Sequence, residues 1–215
     1  EYGYMVGAGS GWLAAGFDVI DKYSYTSQQN STSPGNLVTG GGLQGGHKSE
    51  THGWVSGGDN GAATIEKYAF VNGGNAVDSG MTLTNSRKFC AGSSSETHGF
   101  VASGQWGSLS NVIESFSFSS SSGTASNIGT ISNLVTRAAA HSSTTHGYYS
   151  GGSNSSINSF YSAVHKYSFA TGAETANVGN LAHARSPDCG GGSSSTDAYT
   201  YCGYPHYTGM DKMSF

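Results

Sequence analysis

Five segments of the chain share one order of apolar and polar positions. They are Ile20-Asp21-Lys22-Tyr23-Ser24-Tyr25, Ile65-Glu66-Lys67-Tyr68-Ala69-Phe70, Ile113-Glu114-Ser115-Phe116-Ser117-Phe118, Val164-His165-Lys166-Tyr167-Ser168-Phe169 and Met210-Asp211-Lys212-Met213-Ser214-Phe215. Apolar residues hold the first, fourth and sixth places, and the alternation over the last three is the period of a half-buried strand. A second pattern precedes each: Glu1-Tyr2-Gly3-Tyr4, Thr51-His52-Gly53-Trp54, Thr97-His98-Gly99-Phe100, Thr145-His146-Gly147-Tyr148 and the degenerate Thr196-Asp197-Ala198-Tyr199. Tyr2, His52, His98, His146 and Asp197 are 50, 46, 48 and 51 residues apart. A small-residue pair follows each: Ala8-Gly9, Gly57-Gly58, Ser103-Gly104, Gly151-Gly152 and Cys202-Gly203. A third marker runs from Leu83 to Arg87, Leu134 to Arg137 and Leu181 to Arg185, and the first copy has Asn36-Leu37 but Gly40 in place of Arg.

These markers predict four short strands per unit, at about 53–57, 64–70, 76–83 and 88–94 in the second, and no helix anywhere. Four strands per 40 to 50 residues describes a propeller blade. One such sheet cannot bury both faces alone, whereas radial stacking covers each face with a neighbour. The expected fold is therefore all-β, a β-propeller of four-stranded blades forming one domain over 1–215. Its repeats fall at 1–49, 50–95, 96–143, 144–195 and an incomplete 196–215. The fifth unit lacks its last two strands. The expectation is that the sequence continues, that a partner fills the gap, or that only part of the protein is represented, the first being favoured.

The order of strand, Gly pair, variable loop, apolar-acid-Lys-Tyr strand, Leu strand, Arg and small-residue strand resembles the kelch repeat. Only Gly57-Gly58 and Gly151-Gly152 are true Gly pairs, and the Trp usual before the Leu strand is absent. The phrasing of Ser93 to Gly104, and of Val164 to Arg185 followed by Ser193 to Ser195, is similar to tandem repeats in virion and tail-fibre-like proteins of marine bacteriophages, cyanophages among them. That resemblance implies a particle-associated or adhesive role. Its expected partners are other virion proteins or a host surface receptor or glycan, in a virion or extracellular setting, and an oligomer is compatible with it.

Composition narrows the classes further. The 34 Gly residues follow no three-residue period, which excludes collagen, and 12% aromatics argue against disorder. The net charge is −4 and the nine Lys and Arg are scattered, so nucleic acid is not an expected partner. No apolar run is long enough for a membrane-spanning helix. Three cysteines make no disulfide framework; Cys189 and Cys202 either pair across neighbouring strands or remain thiols.

Candidate chemistry divides into residues that follow the repeat and residues that break it. His52, His98 and His146 follow it, and are read as bonding to turns rather than holding a metal. Arg87, Arg137 and Arg185 either ring a channel and attract an anionic glycan or carboxylate, or bridge carbonyls between blades. Asp21, Glu66, Glu114 and Asp211 read as solvated strand faces, and His47, His165, His183 and His206 as surface residues. Catalytic carboxylates need two different roles, and nothing here breaks the symmetry in that way. The chain therefore reads as non-enzymatic, with no cofactor and no metal. The loops after the small-residue pair differ most between repeats. They carry the candidate ligand or partner contacts Trp12, Trp106, Phe160, Tyr161, Tyr204 and Tyr207, whose alternative is packing over the rim.

Overall fold

A computed structural model describes residues 2–7, 18–27, 29–59, 63–154, 156–157, 159–184, 190–201, 203 and 209–215. The chain is all-β, with five small antiparallel sheets arranged as a five-bladed β-propeller. Blade 1 pairs Tyr2–Val6, Val19–Ser24 and Thr32–Asn36. Blade 2 runs outward through Gly45–Lys48, His52–Ser56, Thr64–Ala69 and Val77–Thr82. Blade 3 contains Ala91–Ser94, His98–Ala102, Val112–Ser117 and Ser126–Thr130, and blade 4 contains Ala139–Ser142, His146–Ser150, Ala163–Ser168 and Glu174–Asn180. Blade 5 has Gly190–Ser193, Asp197–Tyr201 and Met210–Ser214.

The strands lie where the sequence pattern puts them, but the blade boundary falls one strand earlier than the sequence period. The small-residue strand that closes each sequence unit pairs with the Thr-His-Gly strand that follows it. It is therefore the innermost strand of the next blade. The reason is the short turn between the two strands. In blade 2, Ser49 N donates to His52 O at 2.9 Å and His52 N donates to Ser49 Oγ at 3.1 Å. The same turn recurs at Ser95–His98, Ser143–His146 and Ser194–Asp197.

The core lies between the blades. Each of the four apolar clusters joins consecutive sheets: Ile20 and Leu37 with Val55 and Tyr68; Trp54, Ile65 and Leu83 with Val101 and Phe116; Phe100 and Ile113 with Tyr149 and Tyr167; Tyr148 and Val164 with Met213 and Phe215. One aromatic pair recurs at each of these four interfaces. Tyr4 stacks on Phe70 (4.8 Å between centroids), Trp54 on Phe118 (4.9 Å), Phe100 on Phe169 (4.1 Å) and Tyr148 packs on Phe215 (4.9 Å). Blades 2, 3 and 4 are thus each sandwiched by neighbours of their own kind, which is the physical basis of stability in stacked repeats. The outer edge of blade 2 is also covered, because Gly123–Thr124 adds to it as a parallel strand.

The Gly of the Thr-His-Gly marker is required by a ring. Gly53, Gly99 and Gly147 stand directly across from Tyr68, Phe116 and Tyr167. A Cβ at these positions would lie 2.2, 2.3 and 2.4 Å from the ring. In blade 5 both partners change together, Ala198 facing Met213. The degenerate fifth marker is therefore a matched exchange: a methyl group is present where the flat ring is gone.

Candidate functional site

Most of the recurring polar residues are used in joining one blade to the next. On the innermost strands Lys48 N donates to Ser94 Oγ, Ser94 N to Ser142 Oγ and Ser142 N to Ser193 Oγ, at 2.9, 2.9 and 3.0 Å. Three of the four carboxylates expected on solvated faces, Glu66, Glu114 and Asp211, are instead caps for the loop that leaves the preceding blade. Glu66 is buried and accepts from Val38 N (2.7 Å) and Thr39 N (2.9 Å), and Glu114 is buried and accepts from Thr84 N (2.7 Å). Asp211 accepts from Ala182 N at 3.3 Å. In blade 4 the acid is replaced by His165, and Glu174 on the outer strand caps Ser132 N at 2.7 Å while facing His165 Nδ1 at 3.2 Å. Buried acceptors need such donors, and the neighbouring blade provides them.

His47 and His165, expected at the surface, are buried, while His183 is exposed. His47 Nδ1 donates to Ser93 O of the next blade at 3.0 Å, and its Nε2 faces Ser56 Oγ at 2.8 Å. His141 repeats this with Gly192 O (3.2 Å) and Ser150 Oγ (3.0 Å), and Thr200 Oγ1 also lies 3.0 Å from its Nε2. Burial pushes both imidazoles down to about 4, so they are neutral at pH 7. A His–Ser pair next to a cavity of about 130 Å³ between blades 4 and 5 has the outline of an activated hydroxyl. Its recurrence in blade 2, with both side chains buried, assigns it to blade-to-blade bonding instead.

The Thr-His-Gly histidines bond locally. Thr51, Thr97 and Thr145 Oγ1 lie 2.8 to 2.9 Å from Nδ1 of His52, His98 and His146. Among the described residues no three His, Cys, Asp or Glu side chains gather as a metal site. Arg87 bridges two carbonyls, but both belong to blade 3 rather than to neighbouring blades: Nη1 donates to Ser103 O (3.3 Å) and Val112 O (3.1 Å), and Nη2 pairs with Glu114 of the same blade. Arg137 is not its counterpart. Arg137 N donates to Phe89 O as Phe89 N donates to Leu43 O, so Leu43, Phe89 and Arg137 are equivalent, and Val135 stands where Arg87 does. Correspondingly Ile131, rather than Leu134, matches Leu83, each donating its N–H across to the loop before the third strand. A one-dimensional spacing rule cannot see that register. Arg185, Cys189, Cys202 and His206 lie outside the described residues.

What remains after this accounting is one face of the propeller. There the loops between second and third strands meet the loops that connect blades. Two of the variable loops form small hairpins, Gln105–Trp106 with Ser108–Leu109 and Ser153–Asn154 with Ser159–Phe160. Each is tied to a blade-connecting loop by a two-bond bridge, Lys88 with Gln105 and Thr136 with Ser153, at 2.9 to 3.0 Å. Trp106 is 50% exposed and Phe160 39%, whereas Tyr161 packs on the core shared by blades 3 and 4. Trp12, Tyr204 and Tyr207 lie outside the described residues. Lys88 Nζ sits 5.8 Å from the Trp106 ring and 5.5 Å from Phe89, and the Arg137 guanidinium lies 4.0 Å from Phe89. Sequence reasoning found Trp106 by the divergence of its loop but had no signal for Lys88. Comparison of the chain with protein-family models and with curated proteins finds no match.

Proposed function

We propose that this chain is a non-enzymatic recognition module that binds through the loops on one face of its propeller. Its setting is a viral particle, in a structural or host-attachment role. One observation carries the reading. Most recurring polar residues are used in bonds between or within blades, whereas the loops that differ between repeats lie on one face and include half-exposed Trp106 and Phe160. Variable loops on a rigid scaffold are the usual place for recognition. The viral setting rests on the resemblance of Ser93 to Gly104 and Val164 to Arg185 to marine phage virion and tail-fibre-like repeats. A secreted or cell-surface carbohydrate-binding propeller is the second reading, favoured by the cation beside the exposed indole of Trp106.

Fluorescently labelled chain, applied to whole cells and to a glycan array, tests the reading. Binding should fall at least tenfold in Trp106→Ala or Phe160→Ser variants that melt at the wild-type temperature. Binding that neither loop variant alters would refute use of this face. Detection of the chain in purified particles, or its absence from them, separates the two settings.

A further inference from the structure

Among the described residues the cluster around Trp106 occurs once. Lys88 holds the place taken by Gly42 in the loop before blade 2 and by Thr136 in the loop before blade 4, as the matching contacts of those loops show. Among the described residues, therefore, a cation sits where the connecting loop bridges the variable one only in blade 3. The hairpin turns at Gly107, whose φ of 75° suits a residue without Cβ. Two backbone hydrogen bonds between Lys88 and Gln105 then fix Trp106 beside the ammonium group.

A second observation comes from the backbone. Leu43, Phe89 and Arg137 have φ of 67°, 59° and 60°, a left-handed conformation that Gly would adopt more easily. All three positions nonetheless keep a large side chain. At Phe89 the consequence is visible: its ring carries Arg137 at 4.0 Å and Lys88 at 5.5 Å. The Phe89 ring thus carries both cations, and Lys88 also lies 5.8 Å from the half-exposed indole of Trp106. Glu114, the buried acid of blade 3, is already engaged by Arg87 and Thr84, and Lys88 makes no ion pair among the described residues.

We propose that Trp106 and Lys88 form a binding site for an acidic saccharide, one whose pyranose rings carry carboxylate or sulfate groups. A pyranose has an apolar face that lies flat on an indole, and its anionic substituent is then matched by the neighbouring Lys88 ammonium group. A neutral sugar would give the Lys88 ammonium no counter-charge, and a nucleic acid would face a chain of net charge −4 with scattered basic residues. This proposal rests on the loop-face reading above and adds its ligand class.

Calorimetric titration of the whole chain with galacturonate hexamer and a heparin-derived hexasaccharide tests it, with N-acetylglucosamine hexamer as the neutral comparator. At least one acidic hexamer should bind, several-fold more weakly at 300 mM than at 50 mM salt. Lys88→Gln and Trp106→Ala should each weaken it about tenfold or more, while Val71→Ser, on an exposed turn at the other end of the strands, leaves it unchanged. Circular-dichroism melts of each variant establish that the fold is kept, and Lys88→Arg should retain binding. Failure of both acidic hexamers to bind, equal binding of the neutral one, or indifference to Lys88→Gln would overturn the site. If the chain instead binds cells, an acidic peptide or a neutral glycan in a Phe160-dependent manner, the recognition reading stands and the acidic saccharide falls.

Discussion

Inserting a methyl group at Gly99 should unseat the ring it faces, and removing that ring should make the methyl acceptable again. The added Cβ would stand 2.3 Å from Phe116 Cζ, so the ring must retreat by more than 1 Å to reach ordinary contact distance of about 3.5 Å or more. It has little room. Phe116 is 2% exposed, its edge meets His47 of blade 2 at 5.1 Å, and Trp54 and Phe118 flank it at 6.0 and 5.8 Å. Overpacking of this kind costs about 1–3 kcal/mol, and ejecting the ring would forfeit a similar amount of burial, about 1.5–3 kcal/mol. Gly99→Ala should therefore lose about 2 kcal/mol. Phe116→Met alone should cost less than about 1.5 kcal/mol. The double variant recreates the Ala198–Met213 pair of blade 5 and should recover most of the Gly99→Ala loss, a coupling of about 1–2 kcal/mol. Urea denaturation of wild type, both single variants and the double, followed by far-ultraviolet circular dichroism and Trp fluorescence, measures this cycle. Coincident transitions license the free-energy comparison. Additive losses would refute the reasoning, as would a Gly99→Ala chain as stable as wild type.

Three further outcomes follow from the buried polar groups. Glu114→Gln leaves Arg87 buried without its counter-charge and should cost about 3–5 kcal/mol, whereas Arg87→Met with Glu114→Leu should come close to wild type; a harmless single variant in urea melts would contradict the cap. His47 and His141 are held neutral down to about pH 4, while unfolded His protonates near 6.5. The unfolded chain therefore binds more protons below pH 6.5, so stability is complete above that value and declines towards pH 4, by about 3 kcal/mol per imidazole. Melting temperature between pH 7 and 4.5 should show that decline, with a shallower slope in a His47→Gln/His141→Gln chain. Ser103 has φ of 63° where Gly57 and Gly151 stand in other blades, and its buried Oγ has no hydrogen-bond partner among the described residues. Ser103→Gly should raise stability by about 1 kcal/mol, and a lower urea midpoint would count against that account.

The amino-acid sequence by itself determined the strands, the turns and the repeat. Alternation at Tyr68-Ala69-Phe70 and its copies, the short Ser-x-Thr-His turn and the Gly opposite an aromatic ring act within one sheet. Neighbours along or across a strand leave a period that can be read directly. Even the weak fifth copy followed a local rule, since Ala198 and Met213 changed as a pair.

Only the tertiary structure decided which polar residues are buried and with whom they bond. Glu66 and His47 look like surface residues in any single strand, because alternation says which face a side chain takes but not what covers that face. In a propeller both faces are covered, and the covering blade brings the N–H groups of Val38 and Thr39 to Glu66 and the carbonyl of Ser93 to His47. The register that separates Arg137 from Arg87, the innermost position of the small-residue strand, and the meeting of Lys88 with Trp106 were hidden for the same reason. They are contacts between segments whose sequence separation carries no period, and they exist only once the sheets have stacked.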